Sequence, residues 1–445
     1  MQDNSLTYEQ SLDFLYTQLP MFQRVGQAAF KKDLTNIKRL CAALGHPEKA
    51  FKSIHLAGTN GKGSVAHMLS ACLQASGYKT GLYTSPHYID FRERIKMDGK
   101  FVSKEFVRNF VSRHSSLFEQ IRPSFFEITV AMAFCYFADQ QVDVAVIETG
   151  LGGRLDSTNV ILPELCVITN ISFDHQQFLG NTLDAIAGEK AGIIKENVPV
   201  VVGEEQAESK DVFVQTAAER RAPIVFASQQ FELRNLASSW TGLHADVWKN
   251  GKLYLKDLHL DVGGAYQQFN VRTALQALEC LRQQTFFGRL SESSIRKGLA
   301  NVKSLAAFMG RWQVIGQQPL ILCDSAHNEA GIRMAMTDLG KSSFPHWHIV
   351  FGMVNDKEVD KVLSLFPAQA SYYFAKANIP RGKDGEELRA QAQALGRQGK
   401  AYPSVADALA AARSAAKEDD LIYVGGSIFV VAEVLPSLQG QHDAD

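Results

Sequence analysis

The sequence predicts a two-domain α/β protein, in which a mostly parallel sheet domain is followed by a smaller, Rossmann-like α/β domain. From residue 53, short apolar runs rich in β-branched residues (SIHLAG, VDVAVIETG, LCVITNI, VPVVVG) alternate with helical patterns, the texture of βαβ units. After an interruption the alternation resumes with PLILCDSA, HWHIVFGM, SYYFAKA and LIYVGGSI. The chain's 445 residues also suit two domains at about 100 to 200 residues each. We expect residues 1–305 to form the first domain and 306–445 the second, with a hinge near residues 300–310.

Residues 7–45 read as helical, because apolar positions recur as Leu12, Leu15, Tyr16 and Leu19 and again as Leu34, Ile37, Leu40 and Leu44. Gly45 and Pro47 end the second run. Between the runs lies PMFQRVGQAAFKK, where Pro20 and Gly26 break the periodicity. A loop is expected there, and its place just ahead of a glycine-rich motif makes it a candidate substrate lid. Residues 225–268 alternate in the manner of LHADVWKNGKLYLKDLHL around Asn250-Gly251, a hairpin-turn pair, and are expected to form an antiparallel appendage on the first domain. Helical stretches at 270–283 and 291–300 precede the second domain, and QGQHDAD closes the chain as a frayed tail.

Composition removes several function classes. Lys plus Arg number 46 against 47 Asp plus Glu, so no overall basic field attracts nucleic acid. The 46% hydrophobic and 21% charged content is that of a globular protein with real cores. Six scattered cysteines without close metal-ligand spacing read as free thiols in a reducing compartment. The polar, acidic N-terminus carries no secretory signal pattern, and no run approaches 18 apolar residues. A cytoplasmic protein with neither nucleic-acid nor membrane partners is expected.

The strongest local signal is IHLAGTNGKGSVAHMLSACLQ, an apolar strand running into Gly58-Thr59-Asn60-Gly61-Lys62-Gly63-Ser64 and then a helix. Glycines let backbone N–H groups turn toward an anion, the helix N-terminus adds partial positive charge, Lys62 reaches outer phosphates, and the Ser64 hydroxyl can ligate Mg²⁺. The first domain is therefore expected to be P-loop-containing. The spacing departs from the general P-loop: Gly58 precedes Gly61 by three residues, and Gly63 separates lysine from hydroxyl. The bland alternative is a glycine-rich turn without a ligand. Glu148 ends VDVAVIE and Asp174-His175 follow LCVITNI, which puts all three at the carboxyl edge of the sheet, where open α/β sheets bind ligands. Helix capping or a salt bridge is the alternative for Glu148, and a packed structural histidine is the alternative for His175.

GTNGK followed by a small residue and a hydroxyl resembles the Mur ligase superfamily, ATP-dependent enzymes that join an amino acid to a carboxylate. The blocks Tyr83-Thr84-Ser85-Pro86-His87, Arg92-Glu93-Arg94-Ile95, Glu148-Thr149-Gly150-Leu151-Gly152-Gly153-Arg154-Leu155-Asp156, Asp174-His175 and Glu189-Lys190-Ala191-Gly192, in this order, resemble the folylpolyglutamate synthase and dihydrofolate synthase family over nearly the whole chain. The resemblance implies a first domain of the Mur ligase central-domain type. It also implies transfer of the γ-phosphoryl group of ATP to the carboxylate of tetrahydrofolate or dihydropteroate, followed by attack of L-glutamate on the acyl phosphate. ATP and Mg²⁺ are the implied cofactors, with a monovalent cation such as K⁺ as a further candidate, and a monomer is implied.

The same resemblance assigns residues. Gly58, Thr59, Asn60, Gly61, Lys62, Gly63, Ser64, Asn270, Arg311 and Asp324 match nucleotide-binding positions. Ser85, Glu148 and His175 match metal positions, beside the Ser64 hydroxyl of the loop and joined by Lys190 when its side chain is carbamylated, and Lys62, Lys190 and His175 are the implied catalytic residues. Ser124, Phe125, Phe126, Glu127, Leu155, Asp156 and Ser157 lie where dihydropteroate binds, and Asp156 suggests that both reactions are served. His327 and Ser427 are the candidates on the second domain. From the residues alone, Lys190 on its helix would be a solvated surface lysine, Phe125 and Phe126 also suit a core, His327 a packed histidine, and Ser427 a strand-to-helix turn. Met309 stands where the family more often has Pro before Gly310-Arg311. A cluster of Lys62, Arg154, Lys190 and Arg311 is expected around the phosphates. The rival readings are a Mur-type amino-acid ligase of cell-wall synthesis, for which the 57 residues before Gly58 are too few, and a nucleotide-hydrolysing regulatory module, which gives no reason for Arg311 and Asp324.

Overall fold

The first sheet draws on β1 (Lys52–Ala57), β2 (Thr80–Tyr83), β3 (Ile95–Met97), β4 (Lys100–Phe101), β5 (Val144–Glu148), β6 (Leu165–Ile168), β7 (Val200–Val202) and β8 (Ile224–Phe226). This computed structural model describes residues 6–18, 33–355 and 359–435; the expected lid at 20–32 and the terminal QGQHDAD lie outside them. The strand order is β4-β3-β2-β5-β1-β6-β7-β8. β2, β5, β1, β6, β7 and β8 are parallel, and β3 and β4 add an antiparallel edge. A parallel sheet needs cover on both faces, which explains why these strands read as near-continuous apolar runs. Ile54, Leu56, Val144 and Val146 pack with the helices Lys62–Ala75, Gln267–Arg282 and Glu292–Leu299, whereas Ala145 and Ile147 face the helix Phe125–Asp139.

The appendage is a three-stranded antiparallel sheet of β9 (Phe231–Ser238), β10 (Leu243–Lys249) and β11 (Lys252–Leu260), ordered β11-β10-β9. Asn250 and Gly251 turn the hairpin with φ of 50° and 75°, the positive pair that a type I′ turn requires. Phe231, Val247, Leu255 and Leu258 join the core of the first sheet.

The second sheet holds β12 (Gln313–Gln317), β13 (Leu320–Asp324), β14 (Trp347–Phe351), β15 (Ser371–Ala375), β16 (Gly399–Tyr402) and β17 (Leu421–Gly425), ordered β12-β13-β17-β14-β15-β16 and parallel except at β12. Between the sheets the chain passes through the short helix Val302–Ala306 and Ala307, whose φ is 51°. Trp240, in the β9–β10 loop, stacks on Trp312 at 6.2 Å and 11°. No helix among the described residues is long and apolar enough to cross a membrane.

Register positions the site. Leu56 pairs with Glu148 and Ala57 with Ile168, so β1, β5 and β6 end together and deliver segments 58–64, 149–156 and 169–175 to one edge. Asp324 pairs with Gly425 in the second sheet, so 325–328 and 426–429 leave its edge side by side. One cavity is lined from both edges.

Candidate active site

The glycine-rich loop is held from below by the segment after β6. Thr59 N–H donates to Asn170 O (2.8 Å), Asn60 N–H to Asn170 Oδ1 (3.0 Å), and Thr169 Oγ1 to Asn60 O (2.6 Å). Gly58 (φ 145°) and Gly61 (φ 83°) lie in glycine-favouring backbone conformations, and a Cβ on either would overlap Thr169 or Asn270. Gly61 is the residue before the helix Lys62–Ala75, whose N-terminus faces the cavity. Lys62 Nζ donates to Gly58 O (3.0 Å) and Thr59 O (3.2 Å), and Lys190 Nζ reaches Gly58 O from the helix Leu183–Ala191 (2.8 Å). Two ammonium groups and a helix N-terminus at one small loop form an anion cradle.

Next to that cradle sits an acid of altered strength. Glu148 is 4% exposed and accepts a hydrogen bond from Ser85 N–H (3.3 Å). Burial pushes its carboxyl up to about 7, against the pull of Lys62. Burial, followed by repulsion from Lys62, brings the Lys190 amine down to about 7. An acid and a base both poised near neutrality in one cavity are a functional-site signature. Ser64, Ser85 and His175 line the same cavity, and His175 has φ 49° at the start of a short helix. No group of three His, Cys, Asp or Glu among the described residues is arranged as a cation cage. The donors are instead one desolvated carboxylate, two hydroxyls and an imidazole beside a phosphate-type cradle, which fits a hard divalent cation that keeps waters and takes ligand oxygens.

The aromatic side of the cavity rests on local capping. Ser124 and Glu127 form a capping box on the helix Phe125–Asp139: Ser124 N–H donates to Glu127 Oε2 (2.7 Å) and Glu127 N–H to Ser124 Oγ (3.3 Å). Both line the cavity while fixing Phe125 and Phe126 at its wall. Phe125 lies between the Arg94 guanidinium (5.2 Å) and the Tyr16 ring (5.7 Å), and Phe126 lies over Gly150. Leu155, Asp156 and Ser157 line the opposite wall. The Asp156 carboxylate is already occupied: Oδ2 accepts from Gly150 and Leu151 N–H (2.8 Å each), and Oδ1 from Thr158 N–H (3.0 Å) and Oγ1 (2.6 Å). It holds the turn 150–153 in shape.

Arg154 departs from the expected cluster. Its guanidinium pairs with Glu189 Oε1 (2.8 Å) on the surface, with the side chain 56% exposed. Its backbone N–H donates to Glu189 O, and Arg154 is not among the residues that line the cavity. Lys62, Lys190 and Arg311 do line the cavity.

The second domain contributes Arg311, His327 and Ser427 to the same cavity. Asn270 and Asp324 line a smaller adjoining one, which shares Asn60, Gly61, Ser64 and Arg311 with the first. Asp324 accepts from Trp312 N–H (2.9 Å), Ala326 N–H (2.8 Å) and Tyr266 OH (2.9 Å). His327 Nε2 lies 3.4 Å from Asp174 Oδ2, and Ser427 caps the helix Ile428–Ala432. A paired amide contact crosses between the domains. Asn60 Nδ2 donates to Asn328 Oδ1 (3.3 Å), and Asn328 Nδ2 donates to Asn60 Oδ1 (3.0 Å) and Asp174 Oδ2 (3.1 Å).

Sequence reasoning gave no role to Arg94, Tyr266 or Arg381. Arg94 was visible only as part of the RERI block. Arg381 follows a strand at the carboxyl edge, the signal that marked Asp174 and His175, and lines the cavity. Tyr266 lies just ahead of the helix that bears Asn270.

With this geometry in hand, the comparisons with known proteins are specific. The Mur ligase middle domain family matches residues 56–278, and the Mur ligase glutamate ligase domain family matches residues 310–428. The dihydrofolate synthase/folylpolyglutamate synthase of Bacillus subtilis is 33% identical over 418 residues, covering 92% of this chain and 95% of that protein. Folylpolyglutamate synthase of Mycobacterium tuberculosis, solved with ADP and AMPPCP, superposes with a TM-score of 0.83 at 32% identity over 95% of this chain and 96% of that one. E. coli FolC in complex with DHPP and ADP gives a TM-score of 0.81 at 28% identity, covering 96% and 97%. The chain belongs to the Mur ligase superfamily and, within it, to the dihydrofolate synthase/folylpolyglutamate synthase family of ATP-dependent ligases.

Proposed function

We propose that this protein joins L-glutamate to the carboxylate of dihydropteroate and of tetrahydrofolates, with ATP as the phosphoryl donor and Mg²⁺ as the cofactor. The observation that carries the reading is the single cavity in which the Gly58–Ser64 cradle, the poised pair Glu148 and Lys190, and the Phe125–Phe126 wall meet residues of the second domain. Residues 1–305 would bind phosphates, cation and pterin, and residues 306–445 would cover the nucleotide and bind glutamate. Both sets come from one chain, in keeping with a monomer. All six cysteines are free, in keeping with a reducing cytoplasm.

Direct attack of an amine on a carboxylate would have to expel oxide, so the carboxylate is first activated. A carboxylate oxygen attacks the γ-phosphorus of ATP, and ADP leaves. The glutamate amine then adds to the acyl carbon, loses its proton and expels phosphate, leaving an amide. In this scheme the loop N–H groups and Lys62 hold the phosphates in line and neutralise the charge that spreads over the moving phosphoryl group. Arg311 and Asp324 hold the nucleotide from the second domain, and Asn270 does so from the first. Ser64, Ser85, Glu148 and His175 would hold Mg²⁺, which when bound supplies charge neutralisation between the phosphates. Lys190, whose amine is brought down to about 7, has the free base that carbon dioxide requires. Its carbamate forms with loss of one proton and turns a cation into a carboxylate-like ligand.

Phe125 and Phe126, with the turn that Asp156 fixes, offer a flat apolar slot for a pterin, and His327 and Ser427 mark the place for glutamate. The test is ADP release by the purified protein with Mg·ATP and glutamate, offered dihydropteroate and tetrahydrofolate separately. Turnover with both is expected. Turnover with one alone would make the enzyme monofunctional, and turnover with neither would refute the assignment.

A further inference from the structure

Among the buried titratable side chains that this mechanism does not use are Lys96 and His67. Lys96, on β3, is 3% exposed, and His67, on the helix that begins at Lys62, is 7% exposed. His67 Nδ1 lies 2.6 Å from Gly63 O. A carbonyl can only accept, so Nδ1 carries the proton and Nε2 presents its lone pair. Lys96 Nζ donates to that Nε2 at 2.9 Å. The same ammonium donates to Ala307 O (3.3 Å) and Ala306 O (3.4 Å), at the start of the linker that leads to Arg311. The Phe308 ring meets His67 edge-on at 5.1 Å, and the turn at Gly99 packs against Leu305 O. A continuous path of hydrogen bonds therefore runs from the phosphate loop through His67 and Lys96 to the linker.

Burying an ammonium group is costly unless its donors are satisfied. Here they are satisfied by an imidazole and two linker carbonyls, and burial brings the Lys96 amine down to about 8. The same lysine on the surface would pay none of that cost, so its buried place calls for a role.

We propose that His67 and Lys96 are positioning residues that couple the occupancy of the phosphate loop to the interdomain linker, and thereby set Arg311 over the nucleotide. An anion in the loop pulls on the Gly63 peptide, His67 follows its carbonyl, and Lys96 holds Ala306 and Ala307 in register with it. Lys62 and the loop amides bind phosphate; His67 and Lys96 touch no substrate. The inference rests on reading the loop as the nucleotide site, and the experiment separates the two.

Hydrogen–deuterium exchange is measured with and without ADP on the full chain. In the wild type, ADP should slow exchange at residues 58–65 and also at 303–308. In Lys96→Met, which keeps the aliphatic stem, and in His67→Phe, which keeps the ring against Phe308, loop protection should persist and linker protection should vanish. The ADP dissociation constant should stay within about threefold of wild type while kcat falls about tenfold, the range expected for a lost coupling. Three results would overturn the proposal: a wild-type linker that ADP leaves unprotected, variants with full linker protection, or an ADP affinity that falls as far as kcat. The wild-type measurement decides even where a variant does not fold. If ADP protects neither segment, the nucleotide reading falls as well; if it protects the loop alone, only the coupling falls.

Discussion

The two walls of the cavity are built on opposite terms. On the first-domain wall, Glu148 and Lys190 are buried charges whose proton affinities have been moved to about 7 by burial. On the second-domain side, three polar groups are tied to neighbouring groups. Asp324 takes three donors, Asn328 caps the helix Glu329–Leu339 while holding Asn60, and Ser427 caps its own helix. A buried charge with altered proton affinity can respond to a ligand, whereas a group already tied to its neighbours is held in one place. Under the proposed function, the first wall carries the chemistry and the second positions it.

The comparison breaks most easily at its reactive end. Lys62→Ala should lower ADP formation on the order of 10³-fold, because in the proposed scheme it removes the charge that neutralises the moving phosphoryl group. Activity within tenfold of wild type would move the reactive wall elsewhere. Lys190→Ala should cost about 10²-fold. Purging carbon dioxide should slow the wild type and bicarbonate should restore it, with the variant indifferent to both. Wild-type rates that ignore carbon dioxide would leave Lys190 as a plain cation.

The positioning wall is tested at Asn328, which has two separable jobs. Its Oδ1 caps the helix by accepting from Gly331 N–H (2.9 Å), and its Nδ2 donates across the domains to Asn60 and Asp174. Asn328→Ala removes both jobs, and about 1 kcal/mol of stability should go with the cap. Asn328→Asp keeps an acceptor for Gly331 but cannot donate, and it faces Asp174 as a like charge. Urea unfolding should therefore find Asn328→Asp destabilised as well, through repulsion from Asp174 and not through loss of the cap, while kcat falls about tenfold in both variants. Equal kcat in Asn328→Asp and wild type would reduce Asn328 to a cap.

How legible each wall was follows from sequence distance. Gly58–Ser64 and Glu148 could be read because strand, turn and helix follow one another locally, and a strand's last residue marks the sheet edge. Arg154 could not, because its neighbours are glycines that suit a site while its own backbone is tied to Glu189 O, 35 residues away. Asp156 was identified by type, but only coordinates reveal that its carboxylate is committed to four donors. The Asn60–Asn328 contact spans 268 positions and the Lys96 contacts with the linker span 210 and 211. Neither has a local pattern, because what joins them is the docking of one domain on another.

The smallest effect concerns the pH dependence of stability, and its sign follows from the same pair. For Glu148, whose folded value is raised from 4.5 to about 7, the native state binds the extra proton, so its stabilising contribution is full below 4.5 and is lost as pH rises through 7. For Lys190, lowered from 10.5 to about 7, the unfolded state binds the extra proton, so stability is regained as pH rises from 7 toward 10.5. Together the two carve a shallow minimum near pH 7 in the ligand-free protein. In carbon-dioxide-free buffer, the melting temperature across pH 5 to 9 should dip by a few degrees relative to a Glu148→Gln, Lys190→Met double variant, in which neither group titrates. Mg²⁺ with ADP should fill the dip in the wild type, because a cation beside Glu148 favours the carboxylate and phosphate beside Lys190 favours the ammonium. A wild-type curve parallel to that of the double variant would mean that the reactive wall is no more strained than the positioning one.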